Sequence, residues 1–229
     1  MSGPLCGSLY EARIPGSVVV QLLVLTENAW NERMGDSVTV PVYEVESARP
    51  NDFHVEIAPG LMADCTRAQN MPHDFFGPWV GVCHTDPWVR SRIGVRKHLD
   101  IDRRIAGASG PTPASARTAW WPRQRNVHFA GHPAIPRDKL FAALSADAWN
   151  SRPAARYCSA VRLTSRTKPQ RLRWEVPVRD GWVVSGDLYV VAYAHMDQSD
   201  PDPHRYPTRI TADESAALAV RQRATLELR

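Results

Sequence analysis

The sequence predicts an α+β protein, mostly β, built as two copies of one small domain. Three observations predict it. Leu25-Thr-Glu-Asn-Ala-Trp-Asn-Glu-Arg33 returns 119 residues later as Leu144-Ser-Ala-Asp-Ala-Trp-Asn-Ser-Arg152, and Val55-Glu56-Ile57 meets Trp174-Glu175-Val176 at the same offset. Short apolar or alternating runs separated by turn residues dominate both halves, as in small β domains. Each half then ends on one helical pattern, in which Asp86, Ile93, Arg96, Leu99 and Ile101 match Asp213, Val220, Arg223, Leu226 and Leu228. A period above about 100 residues is too long for a solenoid unit and fits a duplicated domain.

In the first copy, Gly7 to Ala12 is a short strand, and Val18 to Leu25 is apolar enough for a strand buried on both faces. Ala29-Trp30-Asn31 begins a polar excursion that ends in Gly35-Asp36 turn chemistry. Ser37 to Tyr43 alternates as a strand, with Pro41 pointing to an edge or a bulge. Phe53 to Ile57 is another strand, ended by Pro59-Gly60, and Leu61 to Met71 continues the sheet. A helix near 85–101 closes the copy, with Thr85 as N-cap and Pro87 in the first turn. The second copy repeats this order with strands at Leu140–Leu144, Tyr157–Leu163, Leu172–Val176 and Gly186–Ala194. Thr211-Ala-Asp-Glu214 is a capping box for its closing helix, near 211–227. Ala106 to Ala116, rich in Gly, Ala, Ser, Thr and Pro, marks a linker. The expected domains are therefore 1–103 and 125–229, joined by 104–124.

The chain has 229 residues, 43% hydrophobic and 23% charged, ordinary values for soluble globular domains. No run approaches the ~20 apolar residues of a membrane span. Met1 to Cys6 has neither the basic segment nor the apolar run of a signal peptide. The four cysteines show no CxxC pair or metal spacing and read as reduced thiols, so a cytoplasmic location is expected, with no metal and no cofactor. Charge is uneven: residues 1–114 carry 10 Lys+Arg against 13 Asp+Glu, and residues 115–229 carry 18 against 11. Arg152, Arg156, Arg162, Arg166, Lys168, Arg171 and Arg173 fall within 22 residues that contain no acid. Such a run fits phosphate contacts to nucleic acid, and equally a solvated basic loop between strands.

The residues Gly7-x-Leu9-Tyr10, Asn28-Ala-Trp-Asn31-x-Arg33, Val38-Thr-Val40, His54-Val-Glu56-Ile57 and the path from Met62-Ala-Asp64 through Ile101 come in a telling order. So does Arg209-Ile-Thr-Ala-Asp-Glu214 to Leu228. In this order the chain resembles the MazF/PemK (Kid-like) toxin family of toxin–antitoxin systems, over about 95 residues of one copy and about 100 of the other. The resemblance implies two SH3-like, partly closed β-barrels, each closed by a C-terminal helix. These would pair as a pseudo-dimer within one chain, as family members pair as homodimers. It also implies metal-independent endoribonuclease cleavage of single-stranded RNA by 2′-hydroxyl attack, and an antitoxin protein as partner.

The family's arginine, in an Arg-Pro step before the second strand, falls on Val20-Gln21 in copy one, and its Thr or Ser falls on Tyr43-Glu44. Copy one is thus expected to be catalytically degenerate. In copy two the arginine position falls at Asp138-Lys139, with Arg137 upstream, and the hydroxyl position at Thr164. The resemblance therefore assigns catalysis to Thr164, Lys139 and Arg162. Nucleic-acid binding goes to Arg137, Arg152, Arg156, Arg166, Lys168, Arg171 and Arg173. Lysine is a compact charge and not a bidentate fork, so Lys139 replaces the arginine only as a point charge.

Other constellations read as structural. His128 and His132 have i, i+4 spacing, but Gly131 and Pro133 argue against a helix there, hence against a metal pair. Trp120-Trp121, followed by Arg123 and Arg125, fits base stacking or an anchor holding the linker on its neighbouring domain. Trp30 and Trp149 read as matched packing residues, and Glu56 and Glu175 as carboxylates paired with nearby arginines. Asp200-Pro-Asp-Pro-His204 reads as a rigid polar turn. The rival function is a non-catalytic MazF-like binding module for nucleic acid, an antitoxin or another protein.

Overall fold

The computed structural model describes residues 3–47, 51–107, 120–121, 123–124, 141–146, 149, 156–164, 173–178, 181–192, 196–197 and 211–228. Its described part is mostly antiparallel sheet with few helices, an α+β arrangement, and neither main sheet closes on itself. The chain divides into two compact units, Met1–His98 with Arg223–Arg229, and Leu99–Gln222. No described helix is long and apolar enough to cross a membrane, and no disulfide links the four cysteines.

Unit 1 holds a seven-stranded sheet of β1 (Ser8–Ala12), β2 (Val19–Val24), β3 (Asp36–Glu44), β4 (His54–Ala58), β5 (Leu61–Asp64), β6 (Gln69–Pro72) and β7 (Phe76–Val82). The strand order is β4-β5-β3-β2-β1-β7, with β6 beside β3. The nine residues of β3 pair with β6 through Asp36–Thr39 and with β5 through Val42–Glu44. Pro41 lies between these two ladders, opposite Leu22 of β2. It is therefore in a central strand, at the gap where its missing N–H interrupts neither ladder. Leu22 to Leu25, Val38, Val40 and Val42 are fully buried, as expected for strands covered on both faces.

The polar excursion after β2 is a short helix, α1 (Asn28–Arg33), and Gly35-Asp36 leads straight into β3. Trp30 is fully buried, with its indole N–H donated to the Asp36 carbonyl at 3.1 Å. Truncating such a side chain typically costs on the order of 3–5 kcal/mol. The stretch expected to continue the sheet from Leu61 to Met71 is broken by a 3-10 turn, Cys65–Arg67, capped by Asp64, which accepts from the Thr66 N–H at 2.9 Å. Helix α2 (Thr85–His98) packs on β4 and this turn. A Cβ at Gly94 would stand 2.8 Å from the Cys65 Sγ, so only glycine allows that approach.

Unit 2 holds β8 (Trp120–Trp121), β9 (Arg123–Gln124), β10 (Phe141–Ala143), β11 (Tyr157–Thr164), β12 (Glu175–Val178), β13 (Gly181–Ala192) and β14 (Met196–Asp197). Its main sheet runs β12-β13-β11-β10-β8, and β14 pairs with β9. Residues 120–121 and 123–124, expected in the linker, are thus strands of this unit's sheets.

Three of its hydrogen bonds have counterparts in unit 1. Leu25 N–H donates to Val38 at 2.9 Å, and Leu144 N–H to Ser159 at 2.8 Å. Cys65 N–H donates to Phe53 at 3.1 Å, and Ser185 N–H to Trp174 at 2.9 Å. The Trp149 indole N–H reaches the Tyr157 carbonyl at 2.9 Å, as Trp30 reaches Asp36. β13 is one continuous strand where unit 1 has β5, the 3-10 turn and β6.

Helix α3 (Ile101–Gly107) follows α2, and helix α4 (Ala212–Thr225) ends the chain. The capping box forms as expected: Glu214 N–H donates to Thr211 Oγ1 at 3.2 Å, and its carboxylate accepts from Thr211 N–H at 2.7 Å. Arg104 of α3 is buried and bonds Gln222 Oε1 at 2.9 Å and Ser215 Oγ at 3.0 Å. Burial lowers its pKa to about 10, so it stays charged at neutral pH on neutral acceptors. The residues just past α2 and α4, Asp100 at φ 52° and Glu227 at φ 49°, share the left-handed conformation that ends helices.

Candidate functional site

The positions where the resemblance puts catalysis lie side by side in unit 1. Across the β2–β3 ladder Val19 is opposite Tyr43 and Gln21 opposite Val42, with an irregular step at Val20 between them. On its other side Tyr43 faces Met62 of β5, one rung from Leu61 opposite Glu44. Glu44 is exposed and Tyr43 is buried at 9% exposure, so the phenol and not the carboxylate is fixed by packing.

A cation reaches that phenol from elsewhere. Arg67, in the 3-10 turn, brings Nη1 to 3.4 Å from Tyr43 Oη and Nε to 3.5 Å from Asp64 Oδ2. Asp64 also accepts from Thr66 N–H and Thr66 Oγ1, and lies 3.5 Å from His54 Nε2. Burial works to raise the Asp64 carboxyl, but hydrogen bonds from His54 and Thr66 outweigh it, and its pKa falls below the usual carboxylate value. A hydroxyl and a guanidinium therefore meet in the half expected to have lost both. Within the family likeness His54 and Asp64 carried no site role, and Arg67 was not singled out. The only local sign was Asp64-x-Thr66, the spacing of a turn in which an aspartate caps its own backbone.

In unit 2, Thr164 pairs with Trp182, the rung that Tyr43 and Met62 hold in unit 1. Arg162 stands opposite Phe141, where Pro41 faces Leu22. Its Nη2 is 3.1 Å from Asp187 Oδ2, its guanidinium lies 5.8 Å from the Tyr189 ring centre, and Tyr189 Oη donates to Asp187. Its charge is thus balanced by a carboxylate within the unit. Arg156 is exposed, and Arg173 is exposed with its guanidinium 5.0 Å from the Trp174 ring centre. Lys139, Arg137, Arg152, Arg166, Lys168 and Arg171, with His128 and His132, lie outside the described residues. Trp30 and Trp149 are buried packing residues, and Trp120-Trp121 pairs with β10. Among the described residues, no group of three or more His, Cys, Asp or Glu is placed to hold a metal ion.

Unit 1 also contains an open cleft of about 920 Å³ between the 3–5 stretch, the end of α1, the end of β1 and the turn before β7. Asn31 fixes its floor. Its amide donates to the Pro4 carbonyl at 2.7 Å and the Thr26 carbonyl at 3.0 Å, and its Oδ1 accepts from Ser37 Oγ at 2.7 Å and from Thr26 Oγ1. The Ser37 hydrogen is committed to Asn31, so Ser37 accepts from His73 Nε2 at 3.0 Å. Burial lowers the His73 pKa below its ordinary value, against a backbone hydrogen bond to Asp36 and the charge of Asp74.

No family model matches the chain, and no curated protein does. Among solved structures, an endoribonuclease from a mycobacterial species in complex with its cognate antitoxin is similar, at 17% identity and a TM-score of 0.37. The likeness covers 44% of this chain and 96% of that one. Another mycobacterial endoribonuclease is similar at 18% identity and the same TM-score, over 44% of this chain and 94% of that one.

Proposed function

We propose that the chain is a tandem MazF-like protein of the toxin type: a cytoplasmic, metal-independent endoribonuclease acting on single-stranded RNA, with an antitoxin protein as partner. Its two copies form a pseudo-dimer, and the second carries the chemistry. The observation that supports this reading is a shared rung. Tyr43 and Thr164 hold equivalent places in the β3–β5 and β11–β13 ladders, where the family resemblance puts its hydroxyl.

In the reaction, the 2′-oxygen bonds to the adjacent phosphorus and gives its proton to a base. The bond from phosphorus to the 5′-oxygen breaks, and that oxygen takes a proton. The Thr164 hydroxyl and a cation from Lys139 or Arg166 donate to the non-bridging oxygens as negative charge grows there. Arg162, whose Nη2 lies 3.1 Å from Asp187 Oδ2, is the further cation assigned to that phosphate. Arg137, Arg152, Arg156, Lys168, Arg171 and Arg173 attract the RNA backbone.

Thr164→Ala should lower EDTA-resistant cleavage by about 10²–10³-fold, the usual loss for one donor to transition-state charge. Oligonucleotide affinity should stay within about twofold of wild type, because the hydroxyl acts in the transition state. Equal cleavage rates for the two proteins would remove Thr164 from the chemistry. The rival reading, a non-catalytic binding module, is favoured by the carboxylates that hold Arg67 and Arg162, Asp64 on the first and Asp187 on the second. Under it the wild type binds RNA and leaves it intact.

A further inference from the structure

The cleft of unit 1 shares no lining residue with the Tyr43–Arg67–Asp64 group, and its own chemistry is distinctive. Three rings stand in a row on its wall. Tyr10 meets Phe76 edge to face at 5.4 Å between centres, and Phe76 meets His73 edge to face at 5.8 Å. All three are partly exposed, so ring surface is open to the cleft. Two exposed guanidiniums, Arg13 and Arg33, line the same space, as do two exposed carboxylates, Glu32 and Asp74.

Equal numbers of cations and carboxylates give an acidic peptide no advantage there, nor a basic one. A nucleotide uses every group: its base supplies a π-face, its phosphate an anion, and its base edge N–H donors. The His73 ring, edge to face with Phe76 at 5.8 Å between centres, suits packing against a base.

We propose that this cleft binds one nucleotide of a single-stranded RNA, base against the Tyr10–Phe76–His73 row and phosphate on Arg13 and Arg33. The choice of RNA as ligand rests on the function proposed above. Glu32 and Asp74 can only accept hydrogen bonds, so they favour bases with an exocyclic amino group. Uracil offers one N–H between two carbonyls, and a carboxylate facing that edge meets two acceptors. Adenine, cytosine and guanine are therefore held, and uracil is the poorest ligand. The first copy thus contributes base selection to a protein whose cleavage chemistry sits in the second.

The test uses the full chain with the four nucleoside monophosphates and with short single-stranded oligoribonucleotides in EDTA. Binding is read from the ring resonances of His73 and from fluorescence anisotropy. We expect AMP, CMP and GMP to shift the His73 resonances, and UMP to do so weakest of all. Arg13→Ala and Arg33→Ala, both at exposed positions, should each weaken oligonucleotide binding about tenfold, in line with loss of a charged hydrogen bond. Asp74→Asn should narrow the gap between uridine and the other bases. If wild type binds and cleaves RNA while these variants and the His73 resonances are unaffected, the cleft inference falls and the proposed function stands. If the monophosphates bind in the cleft but no RNA is cut, the cleft stands and the nuclease reading falls. Displacement of His73 signals by acidic peptides but by no nucleotide overturns the inference.

Discussion

Asn31 uses its whole hydrogen-bonding capacity in a buried place: two donors to the Pro4 and Thr26 carbonyls, one oxygen to the Ser37 and Thr26 hydroxyls. Removing it strands several buried polar atoms at once, each worth about 1–3 kcal/mol when left unmade. Asn31→Ala should therefore destabilise the protein by roughly 2–4 kcal/mol in urea unfolding, a cost that relaxation and water entry hold below the simple sum. A change under about 0.5 kcal/mol, the range of an ordinary surface substitution, would mean the network is not formed in solution.

Asp64 is a second residue-scale case, with a pH signature. Its folded pKa lies below the ordinary value of 3.8, so the unfolded chain takes up a proton first as pH falls. Its contribution is complete above that unfolded value and is lost as pH drops through the folded one. Asp64→Asn should lower stability by about 1–2 kcal/mol near pH 7, as for hydrogen bonds to a charged group. The variant should also show a shallower loss of stability below about pH 4. Parallel acid limbs for variant and wild type would contradict this.

Among elements, helix α2 depends on Gly94. Alanine there would gain about 1 kcal/mol of helix propensity. Its Cβ, however, would meet Cys65 Sγ at 2.8 Å and Cys65 Cβ at 3.0 Å, both inside the close-packed seam with the 3-10 turn. Overpacking of this kind costs about 1–3 kcal/mol, so Gly94→Ala should be net destabilising by about 1 kcal/mol in thermal or urea melts. A stabilised variant would show that the helix can lift off the turn at no cost. Strands β1 to β4, β10 and β11 and the two long helices were legible in the sequence because period-2 alternation, continuous apolar runs and the Thr211–Glu214 box act locally, whereas β7, β8, β9 and β14 were not expected. The break at Cys65–Arg67 was not, because no glycine or proline marks it between Leu61 and Met71. Only the Asp64 side chain, turned back on Thr66, ends the ladder there. Pro41 misled for a similar reason: its tolerance depends on β5 and β6 sharing β3, a fact of topology.

Across the whole molecule, the duplicated AWN motif pointed to matched local structure, and the matched bonds of Trp30 with Asp36 and Trp149 with Tyr157 follow it. The candidate sites were less legible. Arg67 meets Tyr43 across 24 residues, and the cleft is assembled from segments spread between Gly3 and Gly77, so no sequence window holds either. Arg162 looked like an open cation because Asp187, its partner, lies 25 residues away. RNA cleavage without metal is the activity proposed for the chain. Its most direct test incubates the purified full chain with a long unstructured RNA in EDTA and analyses the new ends. Discrete fragments carrying 2′,3′-cyclic phosphates are expected, formed by wild type and slowed about 10²–10³-fold in Thr164→Ala. RNA that stays intact at protein concentrations that bind it would rule out the nuclease and leave the chain a binding module.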